Sequence, residues 1–247
     1  MLRSLNELSG YRILATDGDM GNVHDFFFDD ELWVIRYIVV DTGTWLPGRK
    51  VLIATSAVEK PEWDTRILPV KLTREQVKNS PDMDTDRPVS RQAERELHRH
   101  YDWVPYWVVP PHGIAPPLST KERDEEEKES VEEGERVDPH LRSVKEVTGY
   151  RIQANDGEIG HVKELIADDP SWFVRYMVVD TRNWLPGRKV LIPPDWIERV
   201  SWVDSKVYVN LSRDSVKRSP EYDPAAPVNR QFEERLYDYY GRPKYWK

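Results

Sequence analysis

The stretch WVIRYIVVDTGTWLPGRKVLI, residues 33–53, decides the fold. Its first ten residues, Trp33–Thr42, are almost all β-branched or aromatic, a composition that fits the pleated, half-buried surface of a strand. Pro47–Gly48 suits the centre of a type II turn, with Pro fixing φ and Gly supplying a positive φ. Lys50–Ala54 then reads as the start of the next strand. The stretch returns at residues 172–192 as WFVRYMVVDTRNWLPGRKVLI, and nine consecutive residues, Trp45–Ile53 and Trp184–Ile192, are identical letter for letter.

Working outward, the repeat embraces nearly the whole chain. A shift of 139 lays Leu2–Trp107 on Leu141–Trp246 without a gap, and roughly half of the aligned positions are identical. A period of that length is a duplicated domain rather than a solenoid. The reading is of one unit at residues 1–107, a second at 140–247, and a linker at 108–139. The linker opens Pro-rich, which favours an extended chain. It continues around Glu122–Glu135 as an acidic run poor in apolar residues, expected to be a solvated spacer.

Within the first unit, Gly10–Ala15, Asn22–Phe28, Lys50–Ala54 and Arg66–Leu72 read as further strands. Glu59–Asp64 reads as an edge strand or bend because of Pro61. Thr73, with Gln76 completing a capping box, opens a short helix that must stop near Pro81. Ser90 and Asn229 cap a longer helix in each unit, whose apolar residues recur at helical spacing and mark a face that docks on the sheet. Several short strands with little helix between them indicate a mainly β fold of two small barrels or sandwiches, each followed by a short helix, a longer helix and an aromatic tail.

Composition narrows the function. Net charge is −8, with 32 % charged residues and no Cys. Disulfides, thiolate metal sites and Cys nucleophiles are excluded, and a reducing cytoplasm fits. No apolar run approaches a membrane span, and the first residues lack the apolar core of a signal peptide. An acidic balance gives no general attraction to phosphate or anionic lipid.

The motifs GYRI, DGDMGNV and WVIRYIVVDTGTWLPGRKVLI resemble the PRC-barrel family, and their second copies match as well. This small β-barrel also occurs in the cytoplasmic domain of the photosynthetic reaction-centre H subunit and in the C-terminal domain of a ribosome-maturation factor. The ending REQVKNSPDMD…PV.RQ.E..L..YY resembles the tail of stand-alone bacterial PRC-barrel proteins. The resemblance implies a barrel that docks on protein or ribonucleoprotein partners. A photosynthesis-related, reaction-centre H-like role rests on it alone, because the membrane helix of that subunit is absent.

Residue chemistry points away from catalysis. None of the six His occupies the same position in both units, so no metal site is expected. The recurring carboxylates Asp29–Asp30, Asp168–Asp169, Asp41 and Asp180 sit where Asp stabilises turns. No Ser nucleophile motif, Walker loop or dinucleotide fingerprint is present, and no cofactor is implied. Seven cations do recur: Arg12, Arg36, Arg49, Lys50, Arg74, Lys78 and Arg91, matched by Arg151, Arg175, Arg188, Lys189, Arg213, Lys217 and Arg230. With nearby aromatics they compose a candidate nucleic-acid surface, the alternative reading. The favoured reading is a non-enzymatic protein-interaction or assembly module in the cytoplasm, whose two repeats pack on each other or drive homo-oligomerisation. The aromatic tails HYDWVPYW and YYGRPKYW must lie on their own unit, on the sister unit or on another chain. The candidate interaction surface is Trp45, Arg49 and Lys50 with Trp184, Arg188 and Lys189.

Overall fold

The chain is seen in a computed structural model that describes residues 1–83, 89–108, 140–169, 171–181 and 188–246. The expectations for the linker beyond residue 108, and for Trp184 and Gly187, lie outside the described residues. The first half runs β1 (Leu2–Ser4), α1 (Leu5–Leu8), β2 (Arg12–Ala15), β3 (Gly18–Asp29), β4 (Val34–Asp41), β5 (Lys50–Ala54), a 3₁₀ turn at Thr55–Ala57, β6 (Ile67–Pro69), α2 (Arg74–Lys78) and α3 (Arg91–Tyr101). The second half repeats this order: β7 (Leu141–Ser143), α4 (Val144–Val147), β8 (Arg151–Ala154), β9 (Gly157–Asp168), β10 (Val174–Asp180), β11 (Lys189–Ile192), a 3₁₀ turn at Pro194–Trp196, β12 (Ile197–Ser201), β13 (Lys206–Val209), α5 (Arg213–Arg218) and α6 (Arg230–Tyr240).

The fold is mainly β, with two sheets. One is ordered β5-β4-β3-β2-β6 and the other β11-β10-β9-β8-β13-β12. Among the described residues the outer strands of each sheet do not pair with each other, so neither sheet is closed into a barrel by hydrogen bonds; the 3₁₀ turns carry the chain from one edge towards the other. The halves differ at that edge. The second half forms a strand, β12, where the first makes only isolated bridges, Val58↔Val70 and Glu62↔Ile67. Pro61 stands where the second half has Val200, and its missing N–H weakens the ladder there.

Each sheet also holds a strand from the other half. β1 pairs with β9, Leu2 opposite Asp168 and Ser4 opposite Ile166. Reciprocally β7 pairs with β3, Leu141 opposite Asp29 and Ser143 opposite Phe27. The short helices that follow are capped by Ser4 and Ser143, whose hydroxyls accept from Glu7 N and Glu146 N. The same two hydroxyls donate across the boundary, Ser4 to Glu164 and Ser143 to Asp25 at 2.5 Å. Asp25 further accepts the Lys145 backbone N–H at 3.2 Å, so a carboxylate of one half tethers the first turn of a helix from the other. Arg142 reaches Asp30 at 3.2 Å. Leu5, Leu8, Val144 and Val147 are buried at this seam, each worth about 1.5–3 kcal/mol in apolar burial.

At the centre, Val34 bridges Phe173 in antiparallel fashion. These residues are counterparts under the repeat, and a residue meets its own counterpart only on a two-fold axis, so a pseudo-dyad passes between them. Flanking bonds obey it: Ile35 N donates to Trp172 O (2.9 Å) and Val174 N to Trp33 O (2.7 Å). Trp33 and Trp172 hold left-handed backbones, φ 53° and 60°, a conformation strained for bulky residues. It turns both carbonyls toward the opposite half. One continuous hydrophobic core results, drawing on both halves.

Candidate functional site

The repeated turn is built as its sequence requires. Arg49 N donates to Leu46 O at 3.2 Å across Pro47–Gly48, and Gly48 has φ +76°, the value for the third residue of a type II turn. Thr42 ties the loop from inside, its hydroxyl 2.7 Å from both Leu46 O and Arg49 O. Arg49 then turns back onto α2. Its guanidinium donates to Lys78 O at 2.8 Å, a carbonyl left free at the end of that helix, and to Ser80 O just beyond it. Arg188 does the same for α5, donating to Lys217 O at 2.7 Å and to Ser219 O. Trp45 is half-buried beneath Arg74, whose guanidinium carbon lies 4.7 Å from its ring. Arg74 also rests on Gly18, 3.6 Å from where a Cβ would stand, while its backbone N–H is taken by Asp17 at 2.8 Å. Lys50 and Lys189 face Asp41 and Asp180 across the ladder. The structure therefore uses Arg49 and the Trp45–Arg74 contact to strap the turn to the helix, with Arg188 in the place of Arg49, while Lys50 and Lys189 lie in the sheet.

The densest polar chemistry lies elsewhere, beneath the long helices. Glu94, 2 % exposed, accepts from Tyr37 Oη (2.9 Å), Tyr106 Oη (2.8 Å) and Arg91 Nη1 (2.8 Å). His98 Nε2 lies 2.7 Å from the Tyr37 hydroxyl. In the second half Glu233 accepts from Tyr176 Oη (2.8 Å) and Tyr245 Oη (2.7 Å) and pairs with Arg230 at 3.0 Å. Burial pushes the Glu94 carboxyl upward against the pull of Arg91 and the two phenols, and drives the Tyr37 and Tyr176 phenols well above their ordinary range. Each carboxylate is held by donors from strand, helix and tail, which is how a buried charge is retained. With its lone pairs so engaged it is a clamp and not a free base.

That clamp places the aromatic tails. Tyr106 is bonded to Glu94 and covered by Arg36 at 3.9 Å, and Trp107 lies against Arg91 at 4.5 Å. Tyr245 and Trp246 repeat the arrangement with Arg175 (4.3 Å) and Arg230 (4.1 Å). Of the three placements open to the tails, the first holds: each packs on its own half. The sequence signal for the clamp was available, because Tyr37, Arg91, Glu94 and Tyr106 all recur at the repeat distance. A Tyr inside an apolar strand reads as core, which hides it.

The recurring cations of the first half largely meet groups of the protein itself. Arg12 meets Asp19 at 3.6 Å, Arg36 meets Asp29 at 3.1 Å, and Arg49, Arg74 and Arg91 are placed as above. The recurring carboxylates serve turns: Asp29 accepts from Glu31 N (3.1 Å) and Leu32 N (3.0 Å), and Asp41 from Gly43 N (2.9 Å). Among the described residues, no three His, Asp or Glu gather as a metal-binding group, and no helix is long and apolar enough to cross a membrane.

A comparison with curated proteins finds no match. Comparison with family models does: residues 140–216 match the PRC-barrel domain, a span from the exchanged strand β7 into α5. The second half of this chain contains a PRC-barrel domain.

Proposed function

We propose that the chain is a non-enzymatic assembly module of the cytoplasm, in which two PRC-type barrels, one per half, are fused into an internal pseudo-dimer. The observation that carries this reading is the reciprocal strand exchange about Val34 and Phe173. It uses buried polar and apolar groups of both halves to join them, among them Asp25, Arg142, Leu5 and Val147, and leaves an apolar face beside the axis. Leu32 is 47 % and Phe173 40 % exposed there, next to the half-buried rings of Trp33 and Trp172. With the tails folded onto their own halves, this face replaces them as the apolar surface in need of a cover. It is continuous with the internal interface, and the partner it fits is a protein presenting apolar side chains, since Asp168 at its edge already pairs with the N-terminal amine at 3.4 Å and Arg175 lies 4.9 Å from the Phe173 ring. The test is affinity purification from the native cell with the full chain and with Leu32→Asp combined with Phe173→Asp. The double variant should keep its thermal midpoint and release the protein that co-purifies with the parent. Retention of that protein by the variant, or turnover of a small molecule by the pure chain, would sink the proposal.

A further inference from the structure

The two halves share a framework but not an outer surface. In the second sheet the registers set Lys206 beside Arg151 and Arg151 beside His161. Their neighbours Val207 and Ile152 are fully buried on the opposite face, so this row points outward. Strands lie about 4.8 Å apart, so the three groups span about 10 Å. On the same face, two residues along β13, Tyr208 is overlaid by Arg199 with the guanidinium carbon 3.5 Å from the ring centre, close enough to lie flat. Arg151 and Arg199 are exposed, and Lys206 and Tyr208 half-buried.

The first half keeps two of the cations, Arg12 and Lys60, but has neither the lysine beside them nor the aromatic ring. The corresponding residues are Ile67, Arg12, Asn22, Lys60 and Pro69, and Arg12 is engaged by Asp19. The charge inventory follows the same division. Residues 1–107 carry 14 Lys and Arg against 18 Asp and Glu, residues 108–139 carry 4 against 10, and residues 140–247 carry 18 against 16. The acidic total of the chain thus conceals a half with a small cationic excess.

We propose that this outer face of the second half binds single-stranded nucleic acid. Lys206 and Arg151, on neighbouring strands, meet phosphates, and the Arg199 guanidinium on Tyr208 supplies a flat platform for a base. An acidic peptide would use the cations but has no group for the stacked Arg–Tyr pair, which is why nucleic acid is favoured.

The test is fluorescence anisotropy of the full chain with a labelled oligouridylate about twelve nucleotides long, within the range a small β-fold covers. Affinity should fall with salt at a log–log slope of about −1.4, the value for two contacted phosphates on a single strand. Arg151→Glu with Lys206→Glu should weaken binding by about tenfold or more, and Arg199→Ala by about fivefold or more. Arg12→Glu, the matching position in the first half, should leave affinity within about twofold of the parent, since it removes no contact with the strand. Circular dichroism confirms that each variant is folded. Three results overturn the assignment: no salt-dependent binding at low ionic strength, equal loss in Arg12→Glu, or equally tight binding of a poly-glutamate of similar charge.

Discussion

His98 is the one clamp residue that the halves do not share, Tyr237 standing in its place, and it makes the first half sensitive to acid. The ring is 5 % exposed, within 2.7 Å of the Tyr37 hydroxyl and edge-on to Trp103, Tyr106 and Trp107. Burial, with Arg91 adding repulsion, lowers its pKa from 6.5 to about 4. An unfolded chain therefore takes up a proton below pH 6.5 that the folded chain refuses until about pH 4. The folded-state value is depressed for a base, so stability falls as pH drops through that window. At pH 5 the loss from this residue alone is about 2 kcal/mol. Glu94, Asp25 and Asp30 act in the opposite sense, since burial raises their carboxyl pKa values and favours proton uptake by the folded form. The assay must therefore be a difference: urea unfolding of the parent and of His98→Gln, followed by Trp fluorescence from pH 7.5 to pH 4.5. Gln retains a donor for Tyr37 and cannot titrate. The parent should lose about 2 kcal/mol relative to the variant between pH 7.5 and pH 5. A flat difference, or a parent that gains on the variant in acid, would refute the reasoning.

The repeated turn yields two further expectations. Arg49→Ala or Arg188→Ala should cost about 2 kcal/mol by freeing the carbonyls at the ends of α2 and α5, a fall in urea midpoint measurable without any partner. Among the glycines, Gly21→Ala and Gly160→Ala should prevent folding, at about 4 kcal/mol or more, because the new Cβ would stand 2.1 Å from Asp41 O or Asp180 O. Gly48→Ala meets nothing within 4 Å and should cost only the about 1–2 kcal/mol of a left-handed backbone, visible as a modest drop in melting temperature.

Local chemistry was legible in the sequence and long-range pairing was not. The Pro47–Gly48 turn, the capping box of Thr73 with Gln76, and the caps at Ser90 and Asn229 all form where their residue types demand. The strand expected over Arg66–Leu72 shrinks to Ile67–Pro69, starting late because Arg66 takes a left-handed backbone and leaving Val70 only an isolated bridge to Val58. Asn22–Phe28 instead grows to Gly18–Asp29, since paired neighbours extend it at both ends. The exchange itself left almost no trace. Leu2–Ser4 and Leu141–Ser143 are too short to show periodicity, and their partners lie more than a hundred residues away. Trp33 and Trp172 also hide their turn, since a bulky aromatic is the last residue expected at positive φ. That Arg49 and Arg188 serve helix ends was not legible in the repeated motif. A cation beside a turn reads the same whether it faces solvent or a carbonyl.

The slot beside Tyr101 and its counterpart Tyr240 shows how far two copies of one framework diverge. In the first half Trp103, from the tail, stacks on Tyr101 at 4.3 Å and meets His98 at 5.7 Å. In the second half Trp196, from the 3₁₀ turn, lies 4.6 Å from Tyr240 and 5.5 Å from Tyr237. The complementary positions are vacated: Ala57 stands where Trp196 is, and Arg242 where Trp103 is. One large ring fills each slot, supplied by opposite ends of the unit, because the packing requires volume at that place and is indifferent to which segment brings it. Trp103→Ala and Trp196→Ala should each cost about 3 kcal/mol, and Arg242→Ala less than about 1 kcal/mol. Restoring bulk from the other end tests the equivalence directly. Ala57→Trp introduced with Trp103→Ala should recover more than half of the lost stability, measured by urea unfolding at neutral pH. If Ala57→Trp deepens the loss instead, the two slots are not the same slot, and the divergence of the halves extends into their backbones.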